Sequence, residues 1–261
     1  MTTPSGRARG AAVLAAPLAL FLSWPAPAET QPEIRFVPAY FSGDFGTGIS
    51  TGMTSLPLIF ILGSTRQELR VTVPYLSVTT SQPVTFVGNE IIPRGSGGRT
   101  NESGLGDIVA REEYFFLEGG RRRPWISGLI RIKAPTADDT RGLGTGEWDY
   151  GPGAAVIQPL GARWNLLGEA QYVVRGDPRG TDFRNTWWLS GGLQKKLSGS
   201  TAASLYYERT QSVVPGRRDL VDLILGYDHG FARRLSLRTS VFVGLSDTAE
   251  DYGLSAGFSM R

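Results

Sequence analysis

The sequence predicts an all-β fold, an antiparallel transmembrane β-barrel of about twelve strands. Three observations predict it: a leader typical of export, strands in which apolar residues alternate with small or polar ones, and connections that are alternately short and long. No stretch after the leader approaches the roughly 20 consecutive apolar residues that a membrane helix needs. A closed sheet is the other structure that pairs every backbone group in lipid, so a membrane-bound chain of this kind should be a barrel.

The first 28 residues have the three parts of a secretory signal peptide. Two arginines precede a mostly apolar run, and Ala26-Pro27-Ala28 offers the small residues of a cleavage site. Pro17 interrupts the apolar run, which disfavours the alternative of a membrane-spanning helix. We therefore expect a cleaved signal peptide at 1–28 and an outer-membrane barrel domain at 29–261.

The composition excludes several classes of function. The 27 Lys and Arg residues, two of them in the leader, nearly balance the 24 Asp and Glu residues, and no basic stripe suggests a nucleic-acid partner. The chain has no cysteine, which excludes disulfides, zinc–thiolate sites and cysteine nucleophiles. Its single histidine cannot by itself form a histidine metal site. We expect no cofactor and no metal.

Alternation with a period of two is clearest in the last strand, whose one face is apolar and whose other face is small or polar. The apolar face carries Tyr252, Leu254, Ala256, Phe258 and Met260. Lipid outside and a wet lumen inside would produce this pattern, and its repetition with charged opposite faces favours a barrel over a soluble sandwich. The pattern predicts strands at 33–44, 53–62, 66–79, 105–118, 123–134, 147–159, 163–175, 183–197, 201–211, 218–229, 234–245 and 250–260.

The connections between these strands alternate in length. Tight turns such as 63–65, 160–162 and 198–200 alternate with longer segments, of which 80–104 and 135–146 are the longest. Outer-membrane barrels have short periplasmic turns and long outer loops, and an even number of strands returns both termini to the periplasm. Aromatic residues near the predicted strand ends fit the interface girdles of such a barrel.

Strand parity places eleven charged residues on the inward, lumen-lining face. They are Arg70, Asp107, Arg111, Glu113, Arg131, Lys133, Glu169, Arg175, Lys196, Glu208 and Arg238. Two hypotheses fit this set: a polar ladder that fills and plugs a narrow barrel, or a pore whose charges tune which solutes pass. Glu112 falls on the lipid face between two inward residues, which we interpret as a local bulge or a register shift.

No catalytic residues are predicted. The segment Gly253-Leu254-Ser255-Ala256-Gly257 matches the G-x-S-x-G pattern of serine hydrolases, but it lies in the last strand and no histidine follows it. His229 is expected at a periplasmic turn, where a hydrogen-bonded structural role fits best. Acidic residues near 138–139 and 247–251 lack the spacing of an EF-hand, so we interpret them as solvated loops.

Three segments carry a family resemblance: Gly104-Leu105-Gly106-Asp107, the stretch 143–153, and 252–258 near the C-terminus. Together they resemble the outer-membrane transporter family named for the meta-pathway of phenol degradation. The resemblance implies an outer-membrane barrel linked by name to uptake of aromatic or other small hydrophobic compounds, with no catalytic residues to carry over. Such barrels commonly end in an aromatic residue recognised by the barrel-assembly machinery, whereas this chain ends Phe258-Ser259-Met260-Arg261.

The sequence thus predicts a porin-like channel for passive transport of small molecules across a bacterial outer membrane. Its expected partners are outer-membrane lipids, the barrel-assembly machinery and a small-molecule solute. Diffusion would be shaped by the lumen charges and by the connection 80–104. A non-conducting structural barrel is the main alternative, and an outer-membrane enzyme is disfavoured by the position of the single histidine.

Overall fold

The computed structural model describes residues 31–95 and 97–261, and the expected signal peptide at 1–28 lies outside this part of the chain. No helix in the described ranges is long and apolar enough to span a membrane. The strands are β1 (Gln31–Phe36), β2 (Ala39–Gly43), β3 (Thr51–Gly63), β4 (Gln67–Thr80), β5 (Val84–Val87), β6 (Glu90–Pro93), β7 (Thr100–Leu105), β8 (Ile108–Leu117), β9 (Trp125–Ala134), β10 (Asp149–Leu160), β11 (Trp164–Val173), β12 (Thr186–Lys196), β13 (Thr201–Thr210), β14 (Leu220–Gly230), β15 (Leu235–Gly244) and β16 (Tyr252–Met260).

All of these strands except β5 and β6 form one antiparallel sheet that closes on itself. β1 and β2 both pair with β3 on one side and β16 on the other. They act as one strand interrupted at Pro38, which has no backbone N–H to donate. β7 and β8 in turn both pair with β4. With each of these pairs counted once, the barrel has twelve strands, which confirms the predicted fold class.

The two ends of the barrel differ, as the sequence predicts. The first described residue, Gln31, the C-terminus and the turns 64–66, 118–124, 161–163, 197–200 and 231–234 lie at one end. The loops at the other end are mostly longer, and the segment between β4 and β7 is the longest of them. By the sidedness of outer-membrane barrels, the end with the short turns is periplasmic and the end with the loops is extracellular.

The outward face of the barrel is apolar, and aromatic rings lie near both of its ends. Trp164 and Tyr227 are exposed near the periplasmic end, whereas Trp187 and Tyr252 are exposed near the extracellular end. Soluble proteins bury such side chains, but in a barrel lipid covers the apolar belt and the rings occupy the two interfaces.

Glu112 is the exception on this apolar belt. It lies opposite Leu69 of β4 and Ile130 of β9, and the ladders are regular through it. The irregularity in β8 falls instead between Phe115 and Leu117. The expected bulge or register shift at Glu112 is therefore wrong, and the carboxylate belongs to the lipid-facing side of a regular strand.

One element was not predicted, the hairpin of β5 and β6 within the connection 80–104. Val87 lies opposite Glu90, and the two-residue turn between them begins at Gly88 with φ of 65°. A type II′ hairpin turn requires a positive φ at this first central position, where glycine carries no steric penalty. The strand after the hairpin also begins earlier than predicted, at Thr100 rather than residue 105.

Candidate channel lumen

The hairpin of β5 and β6, called the lumen hairpin below, is buried among the extracellular loops and the inner barrel wall. Ile91 is fully buried, and Val84 and Phe86 are nearly so. They belong to one hydrophobic cluster with residues of the inner wall and of the loops 44–50 and 135–148. The other members of this cluster are Phe45, Ile49, Val78, Ala137 and Leu143, against which Phe41, Met53 and Leu76 pack. Apolar burial therefore holds the lumen hairpin in the extracellular mouth of the barrel.

A buried ion pair fixes the same hairpin to the loop 211–219. The Glu90 carboxylate, whose side chain is 2% exposed, pairs with Nη1 of Arg217 at 2.9 Å. It also accepts hydrogen bonds from the Ser212 hydroxyl at 2.7 Å and the Val213 backbone N–H at 2.8 Å. Arg217 donates further to the Ile91 carbonyl at 2.9 Å and to the Phe45 carbonyl. The carboxylate is thus fully hydrogen-bonded, as a buried charge must be.

A second attachment joins the hairpin to the loop 135–148 through the backbone of Gly142. The Phe86 N–H donates to the Gly142 carbonyl at 2.9 Å. Gly142 has φ of +76°, and a Cβ atom there would lie 2.0 Å from the Val84 carbonyl oxygen. Only glycine allows this close approach of two backbones.

Replacing Gly142 with alanine is expected to loosen the lumen hairpin and to increase the ionic conductance of the barrel, because Val84 must move away from the new methyl group. Gly161→Ala is the matched control. Gly161 has nearly the same φ, +79°, but an added Cβ there meets no atom within 4 Å. Conductance in planar bilayers checks the prediction, and equal conductance of the two variants would contradict it.

Most of the predicted lumen charges form ion pairs. Arg111 contacts both carboxylate oxygens of Glu169, at 2.8 and 3.0 Å, and reaches Glu113 at 2.8 Å. Glu113 also accepts a hydrogen bond from the Ser127 hydroxyl. Two parallel hydrogen bonds between a guanidinium and a carboxylate are strong and directional, so this group is well ordered.

A second group lies nearer the extracellular end. Lys133 is buried and pairs with Asp107 at 2.6 Å, and Arg175 pairs with Asp149 at 2.7 Å. Lys133 also lies 3.8 Å from Asp149, which joins the two pairs. Asp149 is absent from the predicted inward set, although it begins β10 on the same face as the inward Gly151, so strand parity could have found it.

The remaining predicted residues have different surroundings. Arg70 pairs with Glu68 at 2.7 Å, and Arg238 pairs with Asp228 at 3.1 Å. Glu208 accepts a hydrogen bond from Ser190, and Lys196 is exposed at the periplasmic end of β12. The described part of the chain offers no ion pair to Glu208, Lys196 or Arg131.

Two cavities remain in the barrel interior beside the tip of the lumen hairpin. The first, of about 290 Å³, has a mixed wall, in which apolar side chains that include Phe41, Leu143 and Phe242 lie beside several charged ones. The carboxyl of Glu250 also lines it, and burial raises the pKa of that group. The second, of about 330 Å³, is lined by polar and basic side chains. Five residues line both cavities: Gly88, Asn89, Val109, Arg131 and Thr210.

The residues considered for catalysis do not line either cavity. His229 Nδ1 and the Thr201 hydroxyl share a hydrogen bond of 2.9 Å. The His229 ring packs against Tyr227 and Phe231 near the periplasmic turn. Ser255 lies within β16 opposite Ser240, with no strand-to-helix turn around it. No group of acidic or histidine side chains with metal-binding geometry occurs in the described ranges.

A closed twelve-stranded antiparallel barrel with an apolar belt, aromatic residues near both ends and a charged interior defines an outer-membrane β-barrel of the channel-like type. The chain belongs to the family described as "Putative MetA-pathway of phenol degradation", whose model matches residues 38–261. The family resemblance of the three sequence segments is thereby confirmed.

Solved structures are similar in fold only. The KdgM porin superposes with a TM-score of 0.55 at 7% identity, covering 88% of this chain and 98% of that chain. The β domain of the Bordetella autotransporter BrkA gives 0.53 at 14% identity, with coverage of 89% and 99%. KdgM in complex with disordered oligogalacturonate gives 0.52 at 8% identity, with coverage of 88% and 98%. The search of curated proteins found no significant match.

Proposed function

We propose that the barrel is a channel for passive diffusion of small molecules across the outer membrane. The observation that carries this proposal is the pair of cavities, of about 290 and 330 Å³, that share five lining residues beside the hairpin tip. A polar ladder that filled the barrel would leave no such space. The lumen hairpin narrows the extracellular mouth, so solutes pass when it shifts or around its tip.

The solutes we propose are aromatic or other small, partly apolar compounds. The first cavity supports this class, because Phe41, Leu143 and Phe242 make part of its wall apolar, beside charged side chains. The name of the family, which refers to phenol degradation, agrees with it. The likeness to the KdgM porin supports channel function only at the level of the fold.

The location we propose is a bacterial outer membrane, reached by export with a signal peptide at 1–28 that is then cleaved. The apolar belt would contact outer-membrane lipids, and the assembly machinery would insert the strands. We propose no chemical step, because the serine and histidine considered for catalysis lie on opposite faces of different strands.

A non-conducting structural barrel is the second candidate, and one observation favours it. The lumen hairpin is held by a buried ion pair and a hydrophobic cluster, so the extracellular mouth is occupied. In this alternative the hairpin is a permanent plug and the cavities are sealed.

Conductance separates the two candidates. The purified barrel, without its leader, is inserted into planar bilayers in potassium chloride, and vesicles carrying it are tested for swelling in arabinose. We expect discrete conductance steps and swelling with the native chain or with Gly142→Ala. Absence of both signals from both proteins, after heat-modifiable gel mobility has shown that the barrels are folded, would reject the channel and favour the plug.

A further inference from the structure

The second cavity has an unusual charge distribution. Four arginines line it, and no acidic side chain does. The four are Arg70, Arg111, Arg131 and Arg175. They come from β4, β8, β9 and the loop after β11, so they surround the cavity along one side of the barrel.

These arginines are incompletely satisfied by the protein. The Nε atoms of Arg70, Arg111 and Arg175 are buried without a hydrogen-bond acceptor. The ion pairs of these three residues use their terminal nitrogens. Arg131 is less satisfied still, because the described residues provide its side chain with neither an ion pair nor a hydrogen bond. Enclosed donors and charges without partners are unfavourable, so this arrangement calls for an acceptor.

The strand register adds a second cost. Arg70 lies directly opposite Arg111, and Arg111 lies directly opposite Arg131. Like charges at directly paired positions of neighbouring strands destabilise a sheet. Three aligned arginines around one cavity are therefore unfavourable for stability, whereas they are well suited to binding an anion.

The neutral lining narrows the class of anion. Trp188, Val109 and Val173 give the cavity an apolar wall, and Thr72 and Asn89 add polar groups. A volume of about 330 Å³ lies at the small end of ligand pockets in general. The site therefore fits a compact molecule with one anionic group and a flat or short apolar body.

We propose that this cavity binds the carboxylate of a small aromatic or apolar organic acid during its passage, with Arg131 as the principal cation. A guanidinium offers a carboxylate two parallel N–H donors, which places the acid group at Arg131 and leaves its apolar body against Trp188. Because Arg131 also lines the first cavity, the same side chain contacts solutes on both sides of the hairpin tip. The inference rests on the proposed channel function and names the solute class for it.

Equilibrium binding tests the site separately from transport. Calorimetry on the detergent-solubilised barrel, without its leader and at low salt, compares sodium benzoate with neutral benzyl alcohol and cationic benzylamine. We expect benzoate to bind at least tenfold more tightly than either analogue. Arg131→Gln should weaken benzoate binding at least tenfold, and Arg131→Lys should retain more of it. Arg218→Gln is the control, because that arginine lies in an exposed ion pair with Asp247.

Three results would overturn the carboxylate site. They are equal binding of benzoate and benzyl alcohol, undiminished benzoate binding by Arg131→Gln, and tighter binding of inorganic phosphate than of benzoate. If Arg131→Gln does not fold, Arg131→Lys keeps the test valid, because it preserves the positive charge. If benzoate binding fails while potassium chloride is conducted, the solute class is wrong and the channel stands. If benzoate binds and no variant conducts, the channel function is wrong.

Discussion

Replacing Glu90 with glutamine is expected to raise the open probability of the barrel by about two orders of magnitude. The substitution keeps the shape of the side chain but leaves Arg217 without its counter-charge. Removing one partner of a buried ion pair costs about 3–5 kcal/mol, and we take about 3 kcal/mol because Arg217 keeps 16% of its side-chain surface exposed. Since about 1.4 kcal/mol changes an equilibrium tenfold, the docked hairpin loses roughly a hundredfold in population relative to the released one.

Single-channel recording in planar bilayers measures this effect, and Glu102→Gln is the matched control. Glu102 lies close to the same hairpin in sequence, but its pair with Arg141 is long, at 3.6 Å, and both side chains are exposed. Exposed pairs contribute about 0–1 kcal/mol, so the control should behave like the native barrel. Identical open probabilities for Glu90→Gln and Glu102→Gln would show that the ion pair does not hold the hairpin.

Replacing Asp149 with asparagine is expected to give the largest loss of stability, about 3–5 kcal/mol in the free energy of unfolding. The Asp149 side chain is 3% exposed and pairs with Arg175, which is 5% exposed. Asparagine preserves the packing and one acceptor but removes the negative charge between Arg175 and Lys133. Lys133 retains its pair with Asp107, so Arg175 bears most of the effect.

Urea titration of the barrel in vesicles, followed by gel mobility without heating, measures the unfolding free energy. Asp247→Asn is the control, because Asp247 and its partner Arg218 are about three-quarters exposed. The control should lie within about 1 kcal/mol of the native barrel. An equally small change for Asp149→Asn would mean that water reaches the ion pairs and screens them.

The regular part of the barrel follows from local patterns in the sequence. Period-two alternation arises because each residue of a strand faces either lipid or lumen. The sequence of a single strand therefore shows which of its residues face lipid and which face the lumen. The last strand shows this directly, with Leu254 and Phe258 exposed to lipid and Gly253 and Gly257 turned inward. The strand count was predictable for the same reason, whereas the sidedness followed from the alternation of short and long connections.

Parity was less informative about the lumen. It can say that Arg111, Arg131 and Glu169 share a face, but not which of them are in contact. The pair between Arg111 and Glu169 joins residues 58 positions apart, across two intervening strands. That Arg131 lacks a partner depends on the positions of every acidic side chain around it, and no strand pattern contains those positions. Glu112 shows the opposite case. Strand parity placed it on the lipid face, and the regular ladders on both sides of β8 at this residue agree with that position.

The sequence by itself determined the all-β class and the twelve strands, and strand parity predicted an inward set of charges. Only the tertiary structure decided that the connection 80–104 contains a hairpin held in the extracellular mouth. The physical reason is the range of the interactions. Lipid and water impose a pattern on every strand locally, whereas Glu90 is held by partners that lie 122 to 127 residues further along the chain. Such contacts exist only after the barrel has closed and brought its loops together.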